Sequence, residues 1–165
     1  MSSIELFQNK TDCCGCSACY NVCPRKAISM QEDEYGYVYP VIDQDKCVGC
    51  GLCRKVCHYQ ADKELRTPIK AYAAAGKKEE FLKKAASGGM FSLVADKILE
   101  EGGVVFGAAM EYHNNTLIPK HIAVESKEEL FKLQGSKYVQ SFIGNTYAEA
   151  KKYLADGRKV LFSGT

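Results

Sequence analysis

Cysteine is the residue whose number and spacing in this sequence most directly indicate chemistry. Eight of the nine cysteines form two copies of the spacing Cys-x2-Cys-x2-Cys-x3-Cys, running from 13 to 23 and from 47 to 57. Thiolates are soft metal ligands, and three so close together can reach three irons of one cluster. Because the copies align without gaps, they predict two half-sites related by pseudo-twofold symmetry, each a ligand loop leading into a short helix.

This spacing is typical of bacterial-type ferredoxins, in which three cysteines of a run hold one [4Fe-4S] cubane and the fourth binds the other. That rule predicts electron transfer through two clusters. The predicted ligands are Cys13, Cys16, Cys19 and Cys57 for one cluster, and Cys47, Cys50, Cys53 and Cys23 for the other. Zinc sites are the alternative, but they usually place about a dozen or more residues between Cys-x2-Cys pairs. A disulfide scaffold does not suit a reducing compartment.

The remaining cysteine and the histidines receive less specific predictions. Cys14 adjoins a predicted ligand, and we expect a packed thiol there, with a redox or ligand-exchange role as the alternative. His58 occupies the position in the second copy that Pro24 has in the first. We expect it to replace the proline only as part of the backbone, and the alternative is a hydrogen bond from its side chain to a cluster sulfide. His113 and His121 have no cysteine or acidic cluster beside them, which predicts structural or solvated roles.

Charge and the N-terminal residues restrict location and partners. The sequence has 165 residues and a formal net charge of +2, too weak for a surface that binds nucleic acid or anionic membrane. The first twelve residues have neither the apolar run of a signal peptide nor a membrane span. We therefore expect a cytoplasmic protein whose partner is a redox protein or subunit, with no nucleic acid and no membrane.

The uneven composition predicts an α+β protein of two domains. All cysteines precede residue 58, so we expect a ferredoxin-like two-cluster domain at 1–66 and an α/β domain, truncated at its C-terminus, at 67–165. The polar stretch 62–68 is the predicted connector. About sixty residues bury little apolar surface, so the first domain should depend on its clusters and be disordered without them.

Hydrophobic periodicity predicts the elements that position any site in the second domain. Within 35–42 and 70–76 we expect strands, and a helix capped by Ser87 should end at Gly102-Gly103. A hairpin turning at Asn114-Asn115, with Pro119 on an edge or bulged strand, should follow. Further elements are predicted in this order: a solvated helical face at 77–84, helices at 128–133 and 147–154, and a buried strand at 159–162.

Small residues at element ends predict an anion site. Ser87, Gly88 and Gly89 at a helix N-terminus offer unblocked N–H groups that suit a phosphate, although a plain cap would look the same. Lys137 and the final Ser163-Gly164-Thr165 are similar features. A buried strand running into a glycine turn normally leads to another helix, so we expect the sequence to be part of a longer protein.

The order of these segments resembles the coenzyme F420 hydrogenase/dehydrogenase beta-subunit family. The resemblance rests on the two-cluster region and on four segments: Ala86–Ser92, Glu101–Ala108, Gly135–Ser141 and Lys159–Thr165. It implies part of an oxidoreductase, an iron–sulfur flavoprotein subunit that passes electrons between its clusters, FAD and a second carrier such as the deazaflavin coenzyme. The flavin-pocket residues so implied are Ser87, Gly88, Gly89, Lys137, Ser163, Gly164 and Thr165.

Two other functions remain open at this stage. Family members usually continue with a Pro-Cys-Gln stretch and a further large domain, so the complete FAD site is expected in the full-length protein. One alternative is a non-catalytic ferredoxin module fused to a protein-docking domain. The other is a structural domain whose clusters do not change oxidation state.

Overall fold

The computed structural model describes residues 4–60 and 67–164, which belong to two separate units. The first unit is Met1–Arg66 and the second is Thr67–Thr165. Both contain helices and antiparallel strands, so the fold class is α+β. No helix in these described ranges is long and apolar enough to cross a membrane.

The first unit repeats a loop and a one-turn helix, as the cysteine pattern predicts. Helix α1 is Ala18–Val22 and helix α2 is Leu52–Val56. Each follows a residue with left-handed backbone, Ser17 at φ 61° and Gly51 at φ 74°, which are equivalent positions of the repeat. The two loops therefore enter their helices with the same backbone geometry.

A two-stranded sheet lies between the two helices in the sequence. Strand β1 is Ile28–Glu32 and pairs antiparallel with β2, Val38–Ile42. The sequence predicted only β2. Pro40 fits because both strands of a two-stranded sheet are edge strands, where a missing N–H is tolerated.

Apolar packing in the first unit is sparse. Within 4–60, the buried members of its hydrophobic cluster are Leu6, Ile28 and the ligand candidate Cys53. Partly buried Phe7 and Tyr20 pack against them. Such a core supplies little folding free energy, so a unit of this size needs a metal or another cross-link.

The second unit is built on a three-stranded sheet of order β4-β3-β5. Strand β3 is Val104–His113, β4 is Thr116–Val124 and β5 is Val160–Phe162. β3 pairs antiparallel with β4 and parallel with β5. Asn114 and Asn115 have φ of 47° and 61°, the left-handed pair that a tight hairpin turn requires, so the predicted hairpin is confirmed.

Residues 67–164, the described part of the second unit, contain three α-helices. Helix α3, Glu79–Lys83, lies in the predicted solvated stretch and has no buried residue. Helix α4 is Met90–Glu100 and helix α5 is Thr146–Ala155. Both have their predicted places, and α4 ends just before Gly102 at φ 71°. These helix predictions are confirmed.

The two longer helices cover both faces of β3. Helix α4 buries Ala95 and Leu99 against Val105 and Ala109 of the strand. On the other side, Ala150 of helix α5 lies in a cluster with Val104 and Phe106. The N-terminal half of β3 is consequently a nearly continuous apolar run, as expected for a strand buried on both faces.

Three expectations for the second unit are wrong in detail. Residues 70–76 form no strand and do not join the sheet, and the Gly76 N–H donates to the Gly88 carbonyl. The cap of α4 is Gly89 at φ 71°, without a side-chain bond, so Ser87 is not the cap. Within 128–133 the backbone forms a 3-10 helix, Leu130–Lys132, rather than an α-helix.

Gly103 allows a direct test of the packing between α4, β3 and β5. A Cβ at this position would lie 2.5 Å from Ile98 Cγ2 and 2.8 Å from the Lys159 carbonyl oxygen. Backbone must move to relieve the second contact, so Gly103→Ala should lower the free energy of unfolding by about 1–3 kcal/mol. Urea unfolding, with hydrogen exchange of the β3 amides as the local probe, measures the effect.

Gly76→Ala is the matched control. A Cβ at Gly76 would have ordinary van der Waals contacts, the nearest at 3.6 Å. Its stability should therefore stay close to that of the native protein. Equal stabilities for the Gly103→Ala and Gly76→Ala variants would contradict the tight junction.

Candidate functional site

The eight cysteines of the repeat line two separate cavities in the first unit. One cavity is lined by Cys13, Cys16, Cys19 and Cys57, and also by the ninth cysteine, Cys14. The other is lined by Cys23, Cys47, Cys50 and Cys53. The last cysteine of each copy thus lies with the first three of the other copy, which is the arrangement that the ferredoxin spacing predicts. The ligand assignment itself stays a prediction.

The ligand loops turn through left-handed residues at equivalent positions. Gly15 has φ 65° and Gly49 has φ 69°. A Cβ at Gly49 or Gly51 would meet nothing within 4 Å, so the backbone conformation rather than space favours glycine there. Ser17 adopts the same conformation in the first copy, with its hydroxyl 3.4 Å from the Gly15 carbonyl oxygen.

Backbone amides donate to cysteine sulfur in both cavities. The Gly15 N–H lies 3.4 Å from Cys13 Sγ, and the Ala27 N–H lies 3.3 Å from Cys23 Sγ. Hydrogen bonds to sulfur are one of the ways in which a protein sets the potential of an iron–sulfur cluster. Each cavity therefore has a backbone N–H donor to sulfur beside its thiols.

Burial disfavours deprotonation of these thiols. It raises the pKa of Cys19 to about 12, and it is also the main cause of the raised pKa values of Cys13, Cys16 and Cys53. Repulsion from Cys57 adds to the upward pKa shift of Cys13, in keeping with their shared cavity. Buried thiols become thiolates when a metal replaces their protons, so the donor set fits a group that brings positive charge.

The geometry differs from that of a site for a single ion. Among residues 4–60 and 67–164, no three His, Cys, Asp or Glu side chains converge on one metal position. A cubane distributes its four thiolates over four irons, and these sulfurs need not meet at one point. Apolar walls complete the cavities, with Leu6 and Met30 in one and Ile28 and Leu52 in the other.

Two further residues that line the first cavity depart from the symmetry of the repeat. Cys14 is exposed and interacts with Cys16, so the prediction of a packed thiol is wrong. His58 lines the cavity with an exposed side chain, next to Tyr59 at a ring distance of 5.7 Å. Its predicted roles remain predictions.

The second unit contains a cleft of about 510 Å³, within the range of small-molecule sites. The cleft brings together six of the seven residues that the resemblance implies: Ser87, Gly88, Gly89, Lys137, Ser163 and Gly164. Thr165 lies outside the described residues. The three segments are remote in sequence and meet because α4, the loop after the 3-10 helix and the end of β5 surround the same part of β3.

Backbone contacts hold these segments in place. Ser163 N–H donates to the Phe106 carbonyl at 3.0 Å, which extends the pairing of β5 with β3 to the cleft. Gly88 lies against the preceding backbone so closely that a Cβ would be 2.3 Å from the Ala74 carbonyl oxygen. Gly107 and Ala108 of β3 also line the cleft. Small residues therefore form much of its wall.

Lys137 acts first on its own loop. Its ammonium group donates to the carbonyl oxygens of Lys132, Gln134 and Gly135 at 3.1, 2.8 and 3.3 Å. An ammonium has three N–H donors, and these three carbonyls match that number. Partial burial lowers the pKa of Lys137. In this conformation all three N–H groups of Lys137 are bonded to its own loop, so Lys137 contributes positive charge to the cleft but no N–H group that a ligand could bind.

The sequence did not predict Ser141 as a cleft residue, and it gave no indication that His121 is bonded to it. Ser141 lines the cleft, and its hydroxyl lies 2.6 Å from Nδ1 of His121. His121 is 1% exposed, so the structural role is right and the solvated role is wrong. Residues twenty positions apart give no local signal of such a contact.

Comparisons with known proteins match two different stretches of the sequence. Residues 12–61 match the 4Fe-4S dicluster domain. Residues 71–145 match the family described as coenzyme F420 hydrogenase/dehydrogenase, beta subunit N-term. The second match contains four of the candidate cleft residues, Ser87, Gly88, Gly89 and Lys137.

Curated relatives match over shorter stretches. An uncharacterized ferredoxin of Methanocaldococcus jannaschii is 33% identical over 55 residues, covering 33% of this protein and 70% of the relative. An iron–sulfur subunit of the Frd operon of Proteus vulgaris, named as probable, is 38% identical over 56 residues, covering 34% and 32%. One component of the anaerobic dimethyl sulfoxide reductase of Escherichia coli is 44% identical over 48 residues, covering 29% and 22%. The matched stretch thus spans about a third or less of the last two relatives.

Paired cysteine substitutions test the crossed ligand sets. Cys13→Ser with Cys57→Ser should remove ligands from one cluster and leave about four irons per protein molecule, because the second set is intact. Cys13→Ser with Cys23→Ser removes one ligand from each set and should leave few irons. Iron and sulfide assays of the anaerobically purified variants measure both.

The reverse result would assign each cluster to a single copy of the repeat. In that case the Cys13/Cys57 pair would lose both clusters and the Cys13/Cys23 pair would keep one. Cys14→Ser is the control, and it should retain about eight irons.

Proposed function

The protein belongs to the coenzyme F420 hydrogenase/dehydrogenase beta-subunit family and carries a 4Fe-4S dicluster domain, and from this we propose a path for its electrons. It is an iron–sulfur electron-transfer subunit. In the proposed path, electrons pass between the two clusters and a flavin, FAD, in the cleft of the second unit. A second redox carrier, such as the deazaflavin coenzyme F420, completes the path.

The observation that supports the flavin site is the meeting of three remote segments at one cleft. Six residues chosen from the sequence line a single space of suitable volume. Gly88 and Gly89 leave the start of α4 without side chains that would block a phosphate, and α4 has eleven residues to contribute its dipole. Met90, Phe91, Leu133 and Val139 give the cleft apolar surface for a planar ring.

The protein's own residues have separate tasks in this proposal. The cysteines hold the clusters. The Gly15 and Ala27 N–H groups donate to cysteine sulfur and so influence the reduction potentials of the clusters. Lys137 fixes the loop on one side of the cleft. A bound flavin supplies the exchange between one-electron and two-electron transfer, which no amino-acid side chain here provides.

The remaining parts of the proposal concern location and partners. We place the protein in the cytoplasm, where unpaired cysteines stay reduced until they bind metal. Its partner is a redox protein or another subunit of an oxidoreductase. Relatives named as components of reductase systems or as iron–sulfur subunits support this part.

A ferredoxin module with a docking domain is the second candidate. Its support is that the match covers 70% of a relative named only as a ferredoxin. In this candidate the second unit binds a protein and has no flavin. The two candidates therefore differ in what the cleft binds.

Metal content and reducibility test the electron-transfer core. The anaerobically purified protein should contain about eight irons and eight sulfides, because each cubane has four of both. Dithionite should produce EPR signals of two coupled, reduced [4Fe-4S] clusters. Zinc in place of iron, or clusters that dithionite does not reduce, would contradict the redox function.

Flavin titration tests the cleft. Added FAD should bind the cluster-loaded protein with quenching of its fluorescence. Gly88→Ala should weaken binding by about tenfold or more, since its Cβ would displace the backbone that shapes the cleft. Gly76→Ala, whose Cβ would have only ordinary contacts, should bind FAD like the native protein. Intact clusters without FAD binding would favour the docking module.

A further inference from the structure

His121 is a buried titratable side chain to which the electron path gives no task. It lies on β4 directly opposite Ala108 of β3, which lines the cleft. Nδ1 lies 2.6 Å from Ser141 Oγ. On the other side of the ring, Nε2 lies 3.1 Å from the Ser163 carbonyl oxygen and 3.2 Å from that of Gly164. The imidazole thus connects two segments that both line the cleft.

Packing fixes the orientation of this ring. Phe162 stacks on His121 at a centroid distance of 5.3 Å and an interplanar angle of 13°, and Phe106 in turn stacks on Phe162 at 5.4 Å. The His121 backbone N–H donates to the Phe142 carbonyl at 2.9 Å, which holds the residue after Ser141 against β4. Both members of the Ser141–His121 pair are therefore held by backbone as well as by their mutual contact.

The carbonyl contacts determine the tautomer. Carbonyl oxygens only accept hydrogen bonds, so the nitrogen facing Ser163 and Gly164 must carry a hydrogen. In the neutral ring the other nitrogen, Nδ1, then has a lone pair. With this neutral ring, the Ser141 hydroxyl donates its hydrogen to Nδ1.

This arrangement gives Ser141 a defined chemical character. A hydroxyl has one hydrogen to donate and two lone pairs to accept with. Because His121 takes the hydrogen, Ser141 can serve a molecule in the cleft only as an acceptor. The cleft wall would then favour a ligand with an N–H or O–H group at this point and disfavour one with a bare acceptor.

We propose that Ser141 accepts a hydrogen bond from an N–H or O–H group of the flavin in the cleft, and that His121 is the positioning residue that makes it an acceptor. The inference rests on the proposed flavin function and adds a specific contact to it. Ser141 touches the ligand, whereas His121 acts through Ser141.

A purely structural role for His121 makes a different prediction. Its ring could serve only to anchor the Ser163 and Gly164 carbonyls through Nε2. Glutamine can place an N–H donor near the Nε2 position, whereas asparagine can place an acceptor oxygen near the Nδ1 position. His121→Gln therefore keeps the structural anchor, and His121→Asn keeps the partner of Ser141.

FAD titration of the cluster-loaded protein separates these roles. Ser141→Ala and His121→Gln should each weaken FAD binding by about tenfold, the value of one neutral hydrogen bond. His121→Asn should bind FAD nearly as the native protein does. Because both residues act through one contact, Ser141→Ala combined with His121→Gln should bind no more weakly than Ser141→Ala alone.

Thr146→Ala is the matched control. Thr146 is as buried as Ser141, at 5% exposed, and its hydroxyl bonds the Ile143 carbonyl away from the cleft. The substitution removes a buried hydroxyl and should lower stability without changing FAD affinity. Circular dichroism and iron content of every variant check that the protein has folded.

Three results would overturn the inference. Unchanged FAD affinity in Ser141→Ala would show that Ser141 makes no contact with the flavin, and it would leave the proposed flavin site in place. Native affinity in His121→Gln together with a loss in His121→Asn would make His121 a structural anchor. A native protein that binds no FAD would overturn the proposed flavin function, and the contact with it.

Discussion

Buried cysteine sulfur is the constraint on which the first unit depends. Its hydrophobic cluster is too small to hold about sixty residues by apolar burial alone, and much of the space beside that cluster is occupied by thiols. Burial disfavours the thiolate, as the pKa of about 12 for Cys19 indicates. Iron bound by these sulfurs would replace their protons and cross-link the two copies, so that cluster binding and folding become one process.

The second unit depends on a different constraint, the burial of β3 on both faces. Helices α4 and α5 pack on opposite faces of this strand, and the cleft lies beside it where β5 ends. The small residues there, at the start of α4 and after β5, leave a cleft instead of a filled core. The same packing brings His121 beneath the cleft and stacks it on Phe162, which explains how a histidine is held in one orientation.

The two units therefore use small residues for different reasons. In the ligand loops, Gly49 and Gly51 have open space around them and are favoured by left-handed backbone. At Gly88 the space is already filled by the Ala74 carbonyl, so any side chain would displace backbone. The sequence alone cannot distinguish these cases, because both appear as glycine beside the start of a helix.

Local patterns in the sequence determined a large part of this protein. The cysteine spacing predicted that the last cysteine of each copy lies with the first three of the other copy, and the ligand assignment built on it stays a prediction. Periodicity predicted α4, α5 and the hairpin at Asn114-Asn115. These features depend on residues close in the sequence or on a repeat. The strand expected at 70–76 failed because a strand needs a partner, and this stretch finds none in the described sheet. Only the tertiary structure decided that Ser87, Lys137 and Ser163 share a cleft and that Ser141 bonds His121, because such contacts depend on how distant segments pack around β3 and leave no signal in the spacing of the residues themselves.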